Sequence, residues 1–226
     1  MWVKICANTT VEDAARAAEL GADAVGFVFA KSKRQVMVPQ VAAITAALPL
    51  AVERIGVFES HDADEIASAA SAASLSGVQL HGGYDEPLVE RLRRILGDDS
   101  EIIPTLHWNV EGDSSEAAHD IERTLMRIVD AGVVRRVLID SKVNGASGGT
   151  GTSFDWAAAR RVFSDAAQHL DVILAGGLKP ENVGAAIREL KPWGVDVASG
   201  VEASVGRKDP ELLARFIRGA RLTAGG

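Results

Sequence analysis

The stretches 172-VILAGGLKPENV-183 and 194-GVDVASGVEASVGRKD-209 each begin as a short apolar run of strand length and then turn polar. In the first, Gly176 and Gly177 precede a segment of helical spacing that contains Pro180. In the second, Ser199 and Gly200 follow the strand. Such strand–loop–helix units, one after the other, are typical of parallel sheets in which helices connect the strands.

The same alternation runs through the whole chain. Eight apolar runs are predicted to be strands: Trp2–Cys6, Ala24–Phe29, Val52–Phe58, Gly77–His81, Ile102–His107, Arg136–Asp140, Val172–Ala175 and Gly194–Ser199. Each is followed by a segment with apolar residues at helical spacing, and several of these begin with Asp, Ser, Thr or Pro. Eight such units predict a closed parallel (β/α)8 TIM barrel. An open doubly wound sheet would also alternate, but its G-x-G-x-x-G fingerprint is absent after the first strand.

Composition agrees with one barrel over residues 1–226. The chain has 226 residues, 47% hydrophobic and 24% charged, which suits a single core, and no linker or low-complexity tail suggests a second domain. A net charge of −7 argues against nucleic-acid or anionic-membrane partners. One cysteine, no signal-peptide core and no apolar run near the roughly 18 residues of a membrane helix lead us to expect a cytoplasmic protein.

Glycine loops at the carboxyl ends of strands seven and eight indicate a phosphate site. Gly176 and Gly177, with Ser199 and Gly200, would let backbone N–H groups approach a phosphate beside a helix N-terminus. Two such loops together outweigh the simpler explanation that glycine only permits a tight turn. The glycine-rich stretch 144–156 after strand six adds Gly149 and Gly151 as further candidate ligand contacts.

Side-chain alternation predicts a polar barrel interior. If Val3 and Ile5 face the helices, Lys4 and Cys6 face inward, and the same phase turns Gln79, His81 and Asp196 inward. Because a buried charge needs a partner, we expect Lys4 and Asp196, on neighbouring strands, to form an ion pair with Gln79 nearby.

Two strand ends carry groups able to transfer protons. Cys6 closes strand one, and Asp140 closes strand six. Each alone is more simply a packing or loop residue. Together, beside phosphate loops, they indicate an acid and a base acting on a phosphorylated small molecule, and the inward Lys4 is expected to lower the pKa of Cys6.

These segments also resemble a known family. The stretches 3-VKICANTTVEDAARAAELGADAVGFVFAKSKRQV-36, 78-VQLHG-82, 137-VLIDSK-142, 148-GGTGTSFDW-156 and the two glycine segments quoted first are similar, in order, to motifs of the phosphoribosylanthranilate isomerase family of tryptophan biosynthesis. The resemblance implies an Amadori rearrangement of N-(5'-phosphoribosyl)anthranilate to 1-(2-carboxyphenylamino)-1-deoxyribulose 5-phosphate, without a metal or organic cofactor.

The resemblance also assigns roles to residues. It implies that Cys6 is the general base, that Asp140 is the general acid and that Arg34 binds the anthranilate carboxylate. His81 and Asp196 fall in matching motifs and are expected to line the substrate site.

Two departures from the family pattern keep alternatives open. Ala7 stands where the family has glycine, so a positive φ there would strain the first loop, and the 81-HGGYDE-86 stretch is longer than usual. One alternative is a paralogous barrel isomerase acting on another amino-sugar phosphate. The other is a non-catalytic ligand-binding barrel.

Overall fold

The computed structural model describes residues 1–108, 114–140 and 156–224. Eight parallel strands close into a barrel in chain order, with β8 hydrogen-bonded to β1. They are β1 (Trp2–Ile5), β2 (Ala24–Val28), β3 (Glu53–Phe58), β4 (Gly77–Leu80), β5 (Glu101–His107), β6 (Arg136–Asp140), β7 (Asp171–Ala175) and β8 (Gly194–Val197). The predicted barrel is confirmed, and the predicted strand ends differ from the observed ones by no more than two residues.

A helix follows each strand along the chain. The helices are α1 (Val11–Glu19), α2 (Val38–Thr45), α3 (Ala63–Ala72), α4 (Glu86–Leu96), α5 (Ser114–Ala131), α6 (Trp156–Ala166), α7 (Val183–Leu190) and α8 (Pro210–Ala224). Between β8 and α8 lie a 3-10 turn (Ser199–Val201) and a hairpin of β9 (Glu202–Ser204) and β10 (Arg207–Lys208). Side-chain caps start several helices; Asp62, for example, accepts from the backbone N–H groups of Asp64 and Glu65. No helix in the described ranges is long and apolar enough to span a membrane.

The hydrophobic core has two parts. The larger lies between the barrel wall and the helices and includes the alternating outward residues Val3, Ile5, Val195 and Val197. The smaller lies inside the barrel and is formed by Trp2, Ala24, Ile55, Ile103, Leu138, Ile173 and Ala175. Because outward and inward residues alternate along each strand, the predicted phase of β1, β6 and β8 is confirmed.

A cation–aromatic cluster closes the amino-terminal end of the barrel. The Arg136 guanidinium lies over the rings of Trp2 and Trp193, with 5.3 and 4.7 Å from its central carbon to the ring centroids. Arg136 Nη1 also lies 2.5 Å from Glu53 Oε2. Since Arg136 is buried, its charge depends on these partners for stabilisation.

Replacing Arg136 tests this closure. We expect Arg136→Ala to lower the free energy of unfolding by about 2–4 kcal/mol, less than for a fully buried pair because Glu53 keeps partial access to water. Urea unfolding measures the loss. Arg135→Ala is the matched control, since Arg135 pairs with Asp171 but its side chain is 64% exposed, and we expect a change below about 1 kcal/mol. Equal losses in the two variants would contradict the role given to Arg136.

Candidate active site

The carboxyl ends of the strands gather the predicted site residues at one face of the barrel. Cys6 follows β1, His81 follows β4 and Asp140 ends β6. The two glycine loops follow β7 and β8 at the same face. Gly149 and Gly151, also predicted to contact ligand, lie outside the described residues.

A buried hydrogen-bond network lies below this face. Lys4 Nζ is 3.0 Å from Asp196 Oδ1 and donates to Gln79 Oε1 at 2.8 Å, while Gln79 Nε2 donates to Thr105 Oγ1 at 3.0 Å. Lys4 and Asp196 are register partners on β1 and β8, so the predicted ion pair is confirmed. Burial alone would lower the pKa of Lys4, but Asp196 and Cys6 outweigh it and the pKa is raised. Lys4 therefore stays charged inside the barrel.

Cys6 is buried beside this network. Burial raises the pKa of the Cys6 thiol, Lys4 and Lys208 lower it, Asp196 raises it, and the net shift is upward. The expectation that Lys4 would bring this pKa below its ordinary value is wrong, because desolvation of the thiolate outweighs the nearby positive charges. Gly26 on β2 leaves the space for this arrangement, since a Cβ there would lie 2.7 Å from Cys6 Sγ.

The loop after Cys6 is strained. Ala7 has a φ of 60°, the left-handed conformation that glycine adopts more easily. The positive φ at Ala7, which the departure from the family's glycine made a possible source of strain, is therefore present. Asn8 stabilises the turn, because its buried Nδ2 donates to the carbonyl of Ile5 at 2.7 Å.

Arg34, after β2, is held by a carboxylate. Its Nε and Nη2 donate to the two carboxylate oxygens of Glu202 at 2.7 and 2.6 Å, which is a bidentate pair. The Glu202 side chain is 5% exposed, and Arg34 keeps 27% exposure. Glu202 thus occupies one edge of the guanidinium and fixes its plane, which leaves the Nη1 side available to another anion.

Lys208 completes this charged group. Its side chain is 1% exposed, and Nζ donates to the carbonyl of Ala198 at 2.9 Å and lies 3.5 Å from Glu202 Oε1. Burial lowers the pKa of Lys208. The pKa of Glu202 is lowered because Arg34 and Lys208 outweigh the effect of its burial.

The glycine loops combine turn formation with close packing. Gly176 and Gly177 have φ of 93° and 64°, so both require glycine. A Cβ on Gly200 would lie 1.9 Å from the carbonyl oxygen of Leu178, so Gly200 lets the two loops pack together. Gly177 and Ser199 are exposed at this face.

Asn182 braces the first glycine loop. Its Oδ1 accepts from the backbone N–H of Lys179 at 2.8 Å, and its Nδ2 donates to the carbonyl of Gly177 at 3.0 Å. These bonds keep residues 179–182 in a turn, so α7 begins at Val183 rather than near Pro180 as predicted.

A pair of histidines lies beside Asp140. His107 Nε2 is 2.7 Å from the carbonyl oxygen of His81, and the two rings meet edge to face with centroids 4.8 Å apart. Burial, with His107, lowers the pKa of His81 despite an opposing effect of Asp140.

Sequence reasoning missed Glu202, Lys208 and His107 as members of the site. Glu202 and Lys208 stand in the quoted 194–209 segment, but strand alternation says nothing about side chains that follow the strand. His107 ends β5, as its register partner Asp140 ends β6. Its place at the carboxyl end of a barrel strand could therefore have identified it as a site residue from the sequence.

The titration of Cys6 tests the electrostatics. Cys6 is the chain's one cysteine, so thiolate absorbance in the ultraviolet reports it alone. We expect a pKa above the value of about 8.5 for a free cysteine, so the thiol is protonated at neutral pH. Lys208→Met should raise it further, because a nearby positive charge is lost, whereas Lys191→Met, an exposed lysine before β8, should leave it unchanged. A pKa below that of free cysteine would refute this description.

Comparison with known proteins supports one family. The family model described as N-(5'phosphoribosyl)anthranilate (PRA) isomerase matches residues 3–219. An N-(5'-phosphoribosyl)anthranilate isomerase of Rubrobacter xylanophilus is 41% identical over 220 residues, covering 97% of this chain and 98% of its own.

Solved structures agree. The phosphoribosyl anthranilate isomerase of Thermotoga maritima superposes with a TM-score of 0.80 at 36% identity, covering 98% of both chains. A phosphoribosyl anthranilate isomerase in complex with reduced 1-(o-carboxyphenylamino)-1-deoxyribulose 5-phosphate gives a TM-score of 0.76 at 33% identity, again covering 98% of each chain. Because its sequence matches over nearly its whole length and its fold is the same barrel, the chain belongs to the N-(5'-phosphoribosyl)anthranilate isomerase family.

Proposed function

We propose that this protein catalyses the Amadori rearrangement of N-(5'-phosphoribosyl)anthranilate to 1-(2-carboxyphenylamino)-1-deoxyribulose 5-phosphate, in tryptophan biosynthesis. One observation carries the proposal: in a chain of this family, Cys6 directly follows β1 and Asp140 ends β6, at the same face of the barrel. Three strand steps around the barrel separate β6 from β1, so the two side chains can approach a substrate from different sides.

Asp140 is proposed as the general acid. Opening the ribose ring requires a proton on the ring oxygen while the nitrogen lone pair forms the C1'–N double bond of a Schiff base. A protonated carboxyl at the end of β6 can supply that proton. The positive charge left on nitrogen then makes the C2' proton acidic.

Cys6 is proposed as the general base. Its thiolate removes the C2' proton, the electron pair moves toward nitrogen, and the enolamine that results tautomerises to the ketone product. Because burial raises the pKa of Cys6, the positive charges of Lys4 and Lys208 are needed to keep some thiolate available near neutral pH.

The two ends of the substrate have proposed anchors. The phosphate would bind backbone N–H groups of the loops containing Gly176–Gly177 and Ser199–Gly200. The anthranilate carboxylate would bind Arg34, whose plane is already set by Glu202. His81 is proposed to line the substrate between these anchors, and Asp196 to act through Lys4, since its carboxylate is paired there.

Partners, location and domain organisation are proposed from composition and fold. A net charge of −7 argues against nucleic acid as a partner, the two glycine loops support a small phosphorylated substrate, and a single cysteine supports a cytoplasmic location. The three described ranges all contribute strands to one barrel, which supports a single domain over 1–226.

Variants of the two proton-transfer residues test the reaction. The loss of phosphoribosylanthranilate fluorescence should report turnover by the unmodified protein. Cys6→Ala and Asp140→Asn should each lower kcat by roughly 10²–10⁴, with smaller effects on KM, because both groups act in the transition state.

Other outcomes of this assay would reject parts of the proposal. If Cys6→Ala turned over substrate at the rate of the unmodified protein, Cys6 would not be the general base. No turnover by the unmodified protein, with retained product binding, would favour a non-catalytic barrel. Turnover of a different amino-sugar phosphate alone would favour a paralogous isomerase.

The Arg34–Glu202 pair offers a test of substrate binding. Arg34→Ala should raise KM by roughly 10–100-fold, the worth of a charge-assisted bond, with a smaller change in kcat. Glu202→Gln should raise KM less, because Arg34 keeps its charge but loses its fixed plane. Arg16→Ala, which breaks an exposed pair with Glu19, is the control and should leave KM unchanged. An unchanged KM in Arg34→Ala would refute its role.

A further inference from the structure

We propose that His81, His107 and Asp140 form a Zn²⁺-binding site at the carboxyl ends of β4, β5 and β6. One ring nitrogen of each histidine and one carboxylate oxygen of Asp140 all lie within 4.8 Å of one another. The three residues come from neighbouring strands, so the barrel wall itself holds them together.

The hydrogen bond of His107 determines which nitrogen can bind a metal. Its Nε2 lies 2.7 Å from the carbonyl oxygen of His81, which can only accept, so Nε2 carries the hydrogen. In a neutral imidazole the other nitrogen, Nδ1, then has a free lone pair. A metal-binding histidine commonly has its second nitrogen held by a carbonyl in this way.

His81 supplies an independent observation. Its Nδ1 is buried and has no hydrogen-bond partner among the described residues. Buried polar atoms without a partner are uncommon, and one explanation is an ion that binds there. A metal bound to this nitrogen would satisfy it.

The donor set suits zinc. Two imidazoles and one carboxylate are a known zinc ligand set that leaves a fourth position for water. With metal–ligand distances of about 2.0–2.2 Å, tetrahedral ligands lie roughly 3.3–3.6 Å apart, so no two of the three donor atoms, which lie within 4.8 Å of one another, need to close by more than about 1.5 Å. His107 is exposed, so the ion can enter from solvent.

Zinc at this position would inhibit the enzyme. The ion would occupy the carboxylate of Asp140 and part of the space beside His81, so bound metal and substrate would exclude each other. This consequence rests on the proposed function, whereas metal binding does not. The site is therefore inhibitory and differs from a cofactor site required for the reaction.

Calorimetric titration with ZnCl2 tests binding without reference to activity. We expect one site in the unmodified protein. His107→Gln should weaken Zn²⁺ binding at least tenfold, because even an outer partner of a zinc ligand is worth roughly 10–100-fold in affinity. Glutamine can keep the hydrogen bond to the His81 carbonyl through its amide N–H but lacks the second ring nitrogen, so the strand end should keep its fold.

Two control variants separate this site from other zinc ligands. His169→Gln removes an exposed histidine before β7, at the opposite end of the barrel, and should leave binding unchanged. Cys6→Ser removes the thiol and should also leave it unchanged. If His107→Gln binds zinc as the unmodified protein does, or if Cys6→Ser loses binding, the proposed site is wrong.

Turnover measurements test the inhibitory role separately. Zn²⁺ should raise the apparent KM of the unmodified enzyme, and His107→Gln should need at least tenfold more Zn²⁺ for the same effect. Binding that depends on His107 but leaves KM unchanged would overturn the inhibitory role. If the unmodified protein shows no turnover, the proposed function fails, while calorimetry still decides the metal site.

Discussion

The ion pair between Lys4 and Asp196 is the contact on which the polar interior at the carboxyl-terminal end of the barrel depends. The two residues are register partners where β8 closes against β1. A shift of one residue in either strand would turn a charged side chain into the apolar layer beneath the helices, at a large desolvation cost. The pair therefore favours one closure register. Gln79 on β4 and Thr105 on β5 continue the network, so the buried Lys4 ammonium has a second partner besides Asp196.

This network also sets the electrostatics of the proposed site. Cys6 is buried where desolvation opposes its thiolate and two lysines favour it, while Asp196 opposes it again. A second charged group, Arg34 with Glu202 and Lys208, adjoins the first through Lys208. The barrel thus separates an apolar interior at the amino-terminal end, closed by Arg136 over the stacked rings of Trp2 and Trp193, from a charged interior at the carboxyl-terminal end.

Much of the architecture could be predicted from the sequence, because its signals are local. Apolar runs of strand length and helical spacing depend on neighbours along the chain, and they predicted eight strand–helix units correctly. Alternation with a period of two predicted that Lys4, Gln79 and Asp196 share the interior. The start of α7 was predicted too early, because Asn182 holds residues 179–182 in a turn that the presence of Pro180 does not reveal.

The sequence by itself determined the barrel, the inward phase of its strands and the gathering of Cys6, Asp140 and the glycine loops at one face. Only the tertiary structure decided the upward pKa shift of Cys6, the seating of Arg34 on Glu202 and the meeting of His107 with His81 and Asp140. The physical reason is the distance along the chain over which each effect acts. Periodicity is a property of adjacent residues, whereas desolvation and charge pairing depend on side chains brought together from distant strands and loops, such as Arg34 and Glu202.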